Sequence, residues 1–185
     1  MSTITSTESF VSALRLLITN LQRALPENKY WQNYLSKFDL SRSDCPKFHL
    51  AVMAEPFLSY VFEGKKTIES RFSVNKSVPY NHVRNGDIIL LKRSGGPIVG
   101  LCMVTKVWFY ELNTQVWNKI RNKQAKQICA DEVFWSSHKA ASFATLMQIN
   151  SVIAIKPIKV YKRDRRGWVV LTPSEKWLTL KGDLL

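Results

Sequence analysis

Three cysteines in 185 residues, Cys45, Cys102 and Cys129, are too few and too scattered for a disulfide framework, and none forms a Cys-x-x-Cys pair. The odd count, with no secretory signal pattern at the N-terminus, points to a reducing, cytoplasmic setting. Histidine is equally sparse. His49, His82 and His138 lie far apart, and no His/Cys/carboxylate grouping has metal-ligand spacing, so neither a metal nor another cofactor is expected. No apolar run approaches the ~20 residues that span a bilayer, and no membrane partner is expected. Only seven glycines occur. Two of them fall in Ser94-Gly95-Gly96-Pro97, which lacks the Gly-Lys-Ser/Thr ending and following helix of a phosphate cradle and reads as a hairpin turn. No Ser-His-Asp arrangement, internal repeat or low-complexity tract offers another starting point.

Acidic residues are scarce as well: 14 against 27 basic ones, for a net charge of +13. The imbalance is uneven, since residues 112–185 hold thirteen basic and five acidic side chains while residues 1–46 are close to neutral. Such an acid-poor C-terminal part suits a polyanion, with nucleic acid ahead of membrane. Nothing in the sequence fixes an oligomeric state, and a monomer is the simpler expectation.

What the chain does have is enough apolar and aromatic material, 45% and 11% of residues, to bury a real core. Its length suits one domain with an appendage: an N-terminal helical extension over residues 1–46 and a main domain over 47–185. Phe10, Leu14, Leu17, Ile18, Leu21 and Leu25 follow helical spacing up to Pro26, and a second short helix carries Tyr30, Trp31, Tyr34, Leu35 and Phe38. Both are expected to cover the main domain. Arg15 and Arg23 in a Ser/Thr-rich apolar helix also fit an organelle-targeting sequence. Phe48–Met53 reads as the first strand, Pro56–Glu63 as a helix, Asp87–Leu91 as a buried strand and Ile98–Tyr110 as a long return strand. Thr114–Cys129 reads as a helix carrying Lys119, Arg121, Lys123 and Lys126 with no acidic residue of its own. Asp131 opens a further helix that takes Val133, Phe134, Trp135, Phe143 and Leu146 as its apolar positions. Ile149–Ile158 is strand-like. Lys159 to Arg166 then reads as a basic hairpin arm turned at Gly167, with Trp168–Leu171 returning as the last strand. Thr172–Glu175 suggests a helix start or turn.

One stretch concentrates the chemistry. Gly64 falls where a helix C-cap glycine is expected, and the pattern after it switches to the period of two. Glu69 and Arg71 then share a strand face with Thr67, close enough to orient each other, while Lys66 sits at the turn and can reach into a cleft. Spacing alone is equally compatible with a surface ion pair of little energetic weight.

Gly64-x-Lys66-x-x-Glu69-x-Arg71 resembles the G-x-K-x-x-E-x-R signature of the ASCH domain family, relatives of the PUA, YTH and EVE domains. The likeness extends over roughly Phe48 to Leu171 and includes the Asn85-Gly86-Asp87 turn before an apolar strand. It implies an α+β protein: a small PUA-like β-barrel flanked by helices, with the N-terminal helical extension packed on it. It also implies a nucleic-acid-binding module, RNA favoured over DNA, that holds one extruded nucleotide in a pocket beside the barrel. Lys66, Thr67, Glu69 and Arg71 are then the candidate ligand-binding residues, with Tyr80 and Trp108 as candidate stacking partners. Lys119, Arg121, Lys123, Lys126, Lys159, Lys162, Arg163, Arg165 and Arg166 are the candidates for backbone phosphates. Some bacterial relatives are ribonucleases and others amidohydrolases on acetylated cytidine, which makes Lys66 and Glu69 the candidate catalytic pair if this chain is a hydrolase. In the amidohydrolases the motif lysine is followed three residues on by Thr, and Glu69 stands there instead. Their further acidic residue has no secure counterpart, with Glu111, Asp131 and Glu132 only nearby in order. A third expectation is a protein-docking module that depends on Leu14 and Leu17.

Overall fold

Strand β1 (Phe48–Met53) sets the layering of the molecule, because its side chains alternate between two cores. Phe48 and Leu50 enter one, Ala51 and Met53 the other. The computed structural model describes residues 6–39, 44–161, 165–172 and 179–180. After helices α1 (Ser6–Ala24) and α2 (Lys29–Ser36) come β1, α3 (Phe57–Phe62), β2 (Ile68–Ser73), β3 (Ile88–Arg93) and β4 (Ile98–Glu111). The chain continues through α4 (Thr114–Ile128), α5 (Glu132–Ser137), β5 (Phe143–Ile158), β6 (Val160–Tyr161), β7 (Trp168–Val170) and β8 (Thr179–Leu180). Six strands form one mixed sheet in the order β2-β5-β4-β3-β1-β7, and β6 pairs with β8. Among the described residues only β1 and β3 pair in parallel. With its flanking helices the sheet makes an α+β half-barrel.

The long strands β4 and β5 shift register between Ile98 and Gly100, Leu101 and Met103, and Val104 and Lys106. Bulges of this kind bend a strand and raise its twist, which lets one pair of strands serve all three cores. Gly100 is required at one of these points: a Cβ there would lie 2.6 Å from the Phe62 ring of α3 and 2.7 Å from the Ile153 carbonyl. Helices α1 and α2 cover one face. Leu17, Leu21, Trp31 and Leu35 are buried against Phe48, Leu50, Ile88, Leu90, Val169 and Leu171, and the Trp31 indole N–H donates to Ser151 O at 2.8 Å. Leu14 and Leu17, on which a docking role for α1 depends, are 8% and 0% exposed in that core. Their face is therefore occupied from within the chain. The second core lies inside the half-barrel, and the third joins β2 and the start of β5 to α4 and α5.

Two elements differ from expectation. Phe143 and Leu146 belong to β5, not to the helix opened by Asp131, which ends at Ser137. Ala144–Met147 pairs on both sides, with β2 and β4, and is buried on both faces, so it carries no period-two signal. Residues 160–161 and 168–170 also make no hairpin with each other. β7 instead adds to the free side of β1, where all three of its residues are buried, and β6 pairs with β8. The Thr172–Glu175 turn lies largely outside the described residues.

Candidate functional site

Gly64, at φ +69°, ends α3 with its N–H on Val61 O (3.1 Å), and the next turn places the Lys66 N–H on Tyr60 O (2.9 Å). That turn drives the Lys66 side chain inward, to 3% exposure. Its ammonium donates to Ile68 O at 2.9 Å and to Ile128 O at 3.0 Å, and lies 3.4 Å from Glu69 Oε2. Burial holds the Lys66 pKa below its ordinary value, against the opposing attraction of Glu69. Glu69 Oε1 accepts from Arg71 Nε at 2.8 Å.

Arg71 does more than pair with Glu69. Nη2 donates to Val52 O at 3.1 Å, Nη1 donates to Gly167 O at 3.3 Å, and the guanidinium lies 5.2 Å from the Trp168 ring centre. Val52 is on β1 and Gly167 leads into β7, whereas Arg71 is on β2 at the other end of the strand order. The two edges of the sheet are thus joined by a side chain rather than by a ladder. Three of the five guanidinium N–H groups are used within the protein, which leaves two.

Over this seam lies a cavity of about 810 Å³, within the range of small-ligand sites. Phe57 and Tyr60 of α3 and Phe134 and His138 beyond it wall the cavity, with Lys66 and Glu69 at its base. Phe134 sits 5.8 Å from Phe57, edge to face, and stacks on His138 at 4.3 Å. Asp131 caps α5 by accepting from the Phe134 N–H at 2.7 Å, which fixes the Phe134 backbone.

Lys66, Glu69 and Arg71 are brought together as the motif spacing suggested. Thr67 is exposed and does not line the cavity; its N–H and C=O bond to Gln127 O and the Ile149 N–H. Tyr80 is buried between Phe109 and Phe143, at 5.5 and 5.3 Å, and Trp108 packs in the α4–α5 core with Lys106 Nζ 5.0 Å from its ring. Neither lines the cavity. Lys119, Lys123 and Lys126 are exposed along α4, whereas Arg121 has an acidic partner after all, Glu132 at the start of α5. Lys159, Arg165 and Arg166 are exposed, and Lys162 and Arg163 lie outside the described residues.

Phe57, Tyr60, Phe134, His138 and Ser70 escaped the sequence reading. One signal was available: Phe134 and His138 are four residues apart and share a helix face. A second buried cluster was also missed. Asp87 accepts from the Lys47 and Arg84 N–H groups at 2.8 and 2.9 Å and pairs with His49 Nε2 at 2.9 Å. His49 Nδ1 accepts from the Trp168 indole at 3.2 Å. An indole N–H can only donate, so His49 is neutral with its proton on Nε2. Among the described residues no group of three or more His, Cys, Asp or Glu could hold a metal ion, and no helix is long and apolar enough to cross a membrane.

Comparison with known proteins adds the family. The model of the ASCH domain matches residues 52–171. A single-substitution variant of the ASCH protein from Zymomonas mobilis superposes with a TM-score of 0.50 at 16% identity, covering 61% of this chain and 76% of that one. The unsubstituted Zymomonas mobilis protein gives 0.47 at 15% identity, over 61% and 71%. No curated protein matches.

Proposed function

Because the chain belongs to the ASCH domain family, a PUA-like fold of nucleic-acid-binding type, we propose that it binds single-stranded nucleic acid, RNA ahead of DNA, with one base in the cavity beside β2. The observation that carries this is the cavity itself. Aromatic walls from α3 and α5 suit a flat ring, and a charged Lys66–Glu69–Arg71 base suits its polar rim. The exposed lysines of α4 supply contacts to phosphate, since α4 ends at Ile128 and Cys129 lines the cavity.

One observation favours hydrolysis instead: a buried lysine with a lowered pKa suits proton transfer. Against it, the ammonium of Lys66 faces two carbonyls and a carboxylate, which stabilise the protonated form. Binding is the better reading. Glu69→Gln separates the two. As an orienting group its loss weakens binding by about 1–3 kcal/mol; as a proton carrier its loss lowers turnover by roughly 100-fold or more with binding retained.

Purification at low salt tests the proposal: nucleic acid should accompany the protein, be removed by ribonuclease rather than deoxyribonuclease, and be reduced in Phe134→Ala. Protein free of 260 nm-absorbing material, and indifferent to added RNA oligomers, would contradict it.

A further inference from the structure

Resting on the assignment of the cavity to a nucleobase, we propose that Ser70 reads the base edge. It does so with its hydroxyl and its peptide N–H and C=O together, and His138 Nε2 makes the second contact. Ser70 Oγ lines the cavity and is, among the described residues, the one buried side-chain oxygen or nitrogen without a hydrogen-bond partner. Native proteins rarely leave such a group unused. Its backbone points the same way. β2 is the end strand of the sheet, and its antiparallel ladder with β5 alternates. Ile149 N–H donates to Thr67 O, so Glu69 and Arg71 turn their backbone groups to β5, while Ile68 and Ser70 turn theirs to the open edge.

The other polar groups around the cavity are largely engaged. Lys66 and Glu69 hold each other and their neighbours, Lys65 pairs with Glu63, and Asp131 caps α5. His138 is the exception. Its Nδ1 lies 2.8 Å from the Phe134 carbonyl, where a lone pair would be repelled, so Nδ1 carries the proton and donates. In the neutral ring Nε2 is then an acceptor, and it has no hydrogen-bond partner among the described residues. A peptide donor and acceptor side by side, a rotatable hydroxyl and an imidazole acceptor match the alternating donors and acceptors of a base edge. An added peptide strand fits less well. It needs a run of open backbone groups, and Ile68 O, the preceding outward carbonyl, is already taken by Lys66 Nζ.

The test uses the full chain and four fluorescein-labelled single-stranded RNA hexamers, rA, rC, rG and rU, titrated by anisotropy. Wild type should prefer one base by about 10-fold, the worth of roughly one or two hydrogen bonds. Ser70→Ala and His138→Phe should each compress that preference while leaving affinity for the other three hexamers and the salt slope unchanged. Ser70→Ala should keep or raise Tm, because it removes an unpaired buried hydroxyl. In ¹⁵N-labelled protein the Ser70 amide should shift downfield on adding the preferred hexamer. Equal affinity of wild type for all four hexamers, a preference that both variants retain, or an unmoved Ser70 amide would overturn the proposal. Failure of the broader base-site assignment looks different: Phe57→Ala and Phe134→Ala would then also leave every affinity unchanged.

Discussion

Two buried polar clusters meet at Trp168 among the described residues, and one of them lines the cavity beside β2 while the other does not. The indole N–H of Trp168 donates to His49 of the His49–Asp87 pair, and its ring faces Arg71 of the Lys66–Glu69–Arg71 group. His49 and Asp87 are both 0% exposed and do not line the cavity beside β2. There the protein itself supplies the partners: Lys47 and Arg84 backbone N–H groups complete the carboxylate, so the cluster pins the start of β3 to the start of β1. The motif cluster is nearly as buried, yet it floors an open, aromatic-walled space. Burial and charge alone therefore do not mark a site. What separates the two clusters is the seam, where β2 and β1 are linked by the Arg71 fork and leave room between them.

Four experiments sharpen or break that contrast. The largest effect belongs to the closed cluster. Asp87→Ala leaves His49 and two backbone donors unpaired and should cost about 3–5 kcal/mol in urea unfolding, while the folded fraction binds RNA with unchanged affinity. Where that variant does not fold, Asp87→Asn should cost about 1–3 kcal/mol with the same indifference in binding. Phe134→Ala should do the opposite, weakening oligonucleotide binding by about 1–3 kcal/mol for one lost base stack and leaving the dependence on salt intact.

Replacing Lys119, Lys123 and Lys126 together with Ala should flatten log K against log salt by roughly 2–3 units if all three meet phosphates, with stability within about 0.5 kcal/mol. The same reasoning applies to Arg163, Arg165 and Arg166, and an unchanged slope would mark the group as solubilising surface. The smallest effect is in pH. Because the folded pKa of Lys66 lies below its ordinary 10.5, the unfolded chain holds a proton in that window that the folded chain has released. Stability owed to Lys66 therefore rises with pH up to about 10.5. The Tm of wild type should rise relative to that of Lys66→Met as the pH climbs toward about 10.5; a constant difference would mean that Lys66 stays charged throughout.

Much of the frame was legible because it depends on local chemistry. Gly64 ends α3, Asp131 opens α5, and Ser94–Pro97 turns between β3 and β4. Lys66, Glu69 and Arg71 were legible as a group for the same reason, since two share a strand face and the third sits on the adjoining turn. The remainder depends on who the neighbours are. Ala144–Met147 lies between two strands, and its burial on both faces erased the strand pattern. Phe57 and Phe134 look like ordinary helix-core residues until their rings are seen to meet edge to face across the cavity, 5.8 Å between centres. Asp87 reads as a turn residue because its partner His49 is 38 positions away and comes near only through the parallel β1–β3 pairing. Arg71 reads as a ligand fork because no sequence pattern announces that Val52 O and Gly167 O will receive it.

The central claim, one base held in the cavity beside β2 and stacked on its aromatic wall, is tested most directly with a single-stranded RNA hexamer carrying one 2-aminopurine. Its fluorescence should be quenched on binding as the ring stacks. The quench should be lost in Phe134→Ala while anisotropy still reports binding with the wild-type salt slope, and it should persist when the three α4 lysines are replaced and protein is raised to compensate. Binding without any change in 2-aminopurine emission at any position of the hexamer, or a quench indifferent to Phe57 and Phe134, would contradict the account.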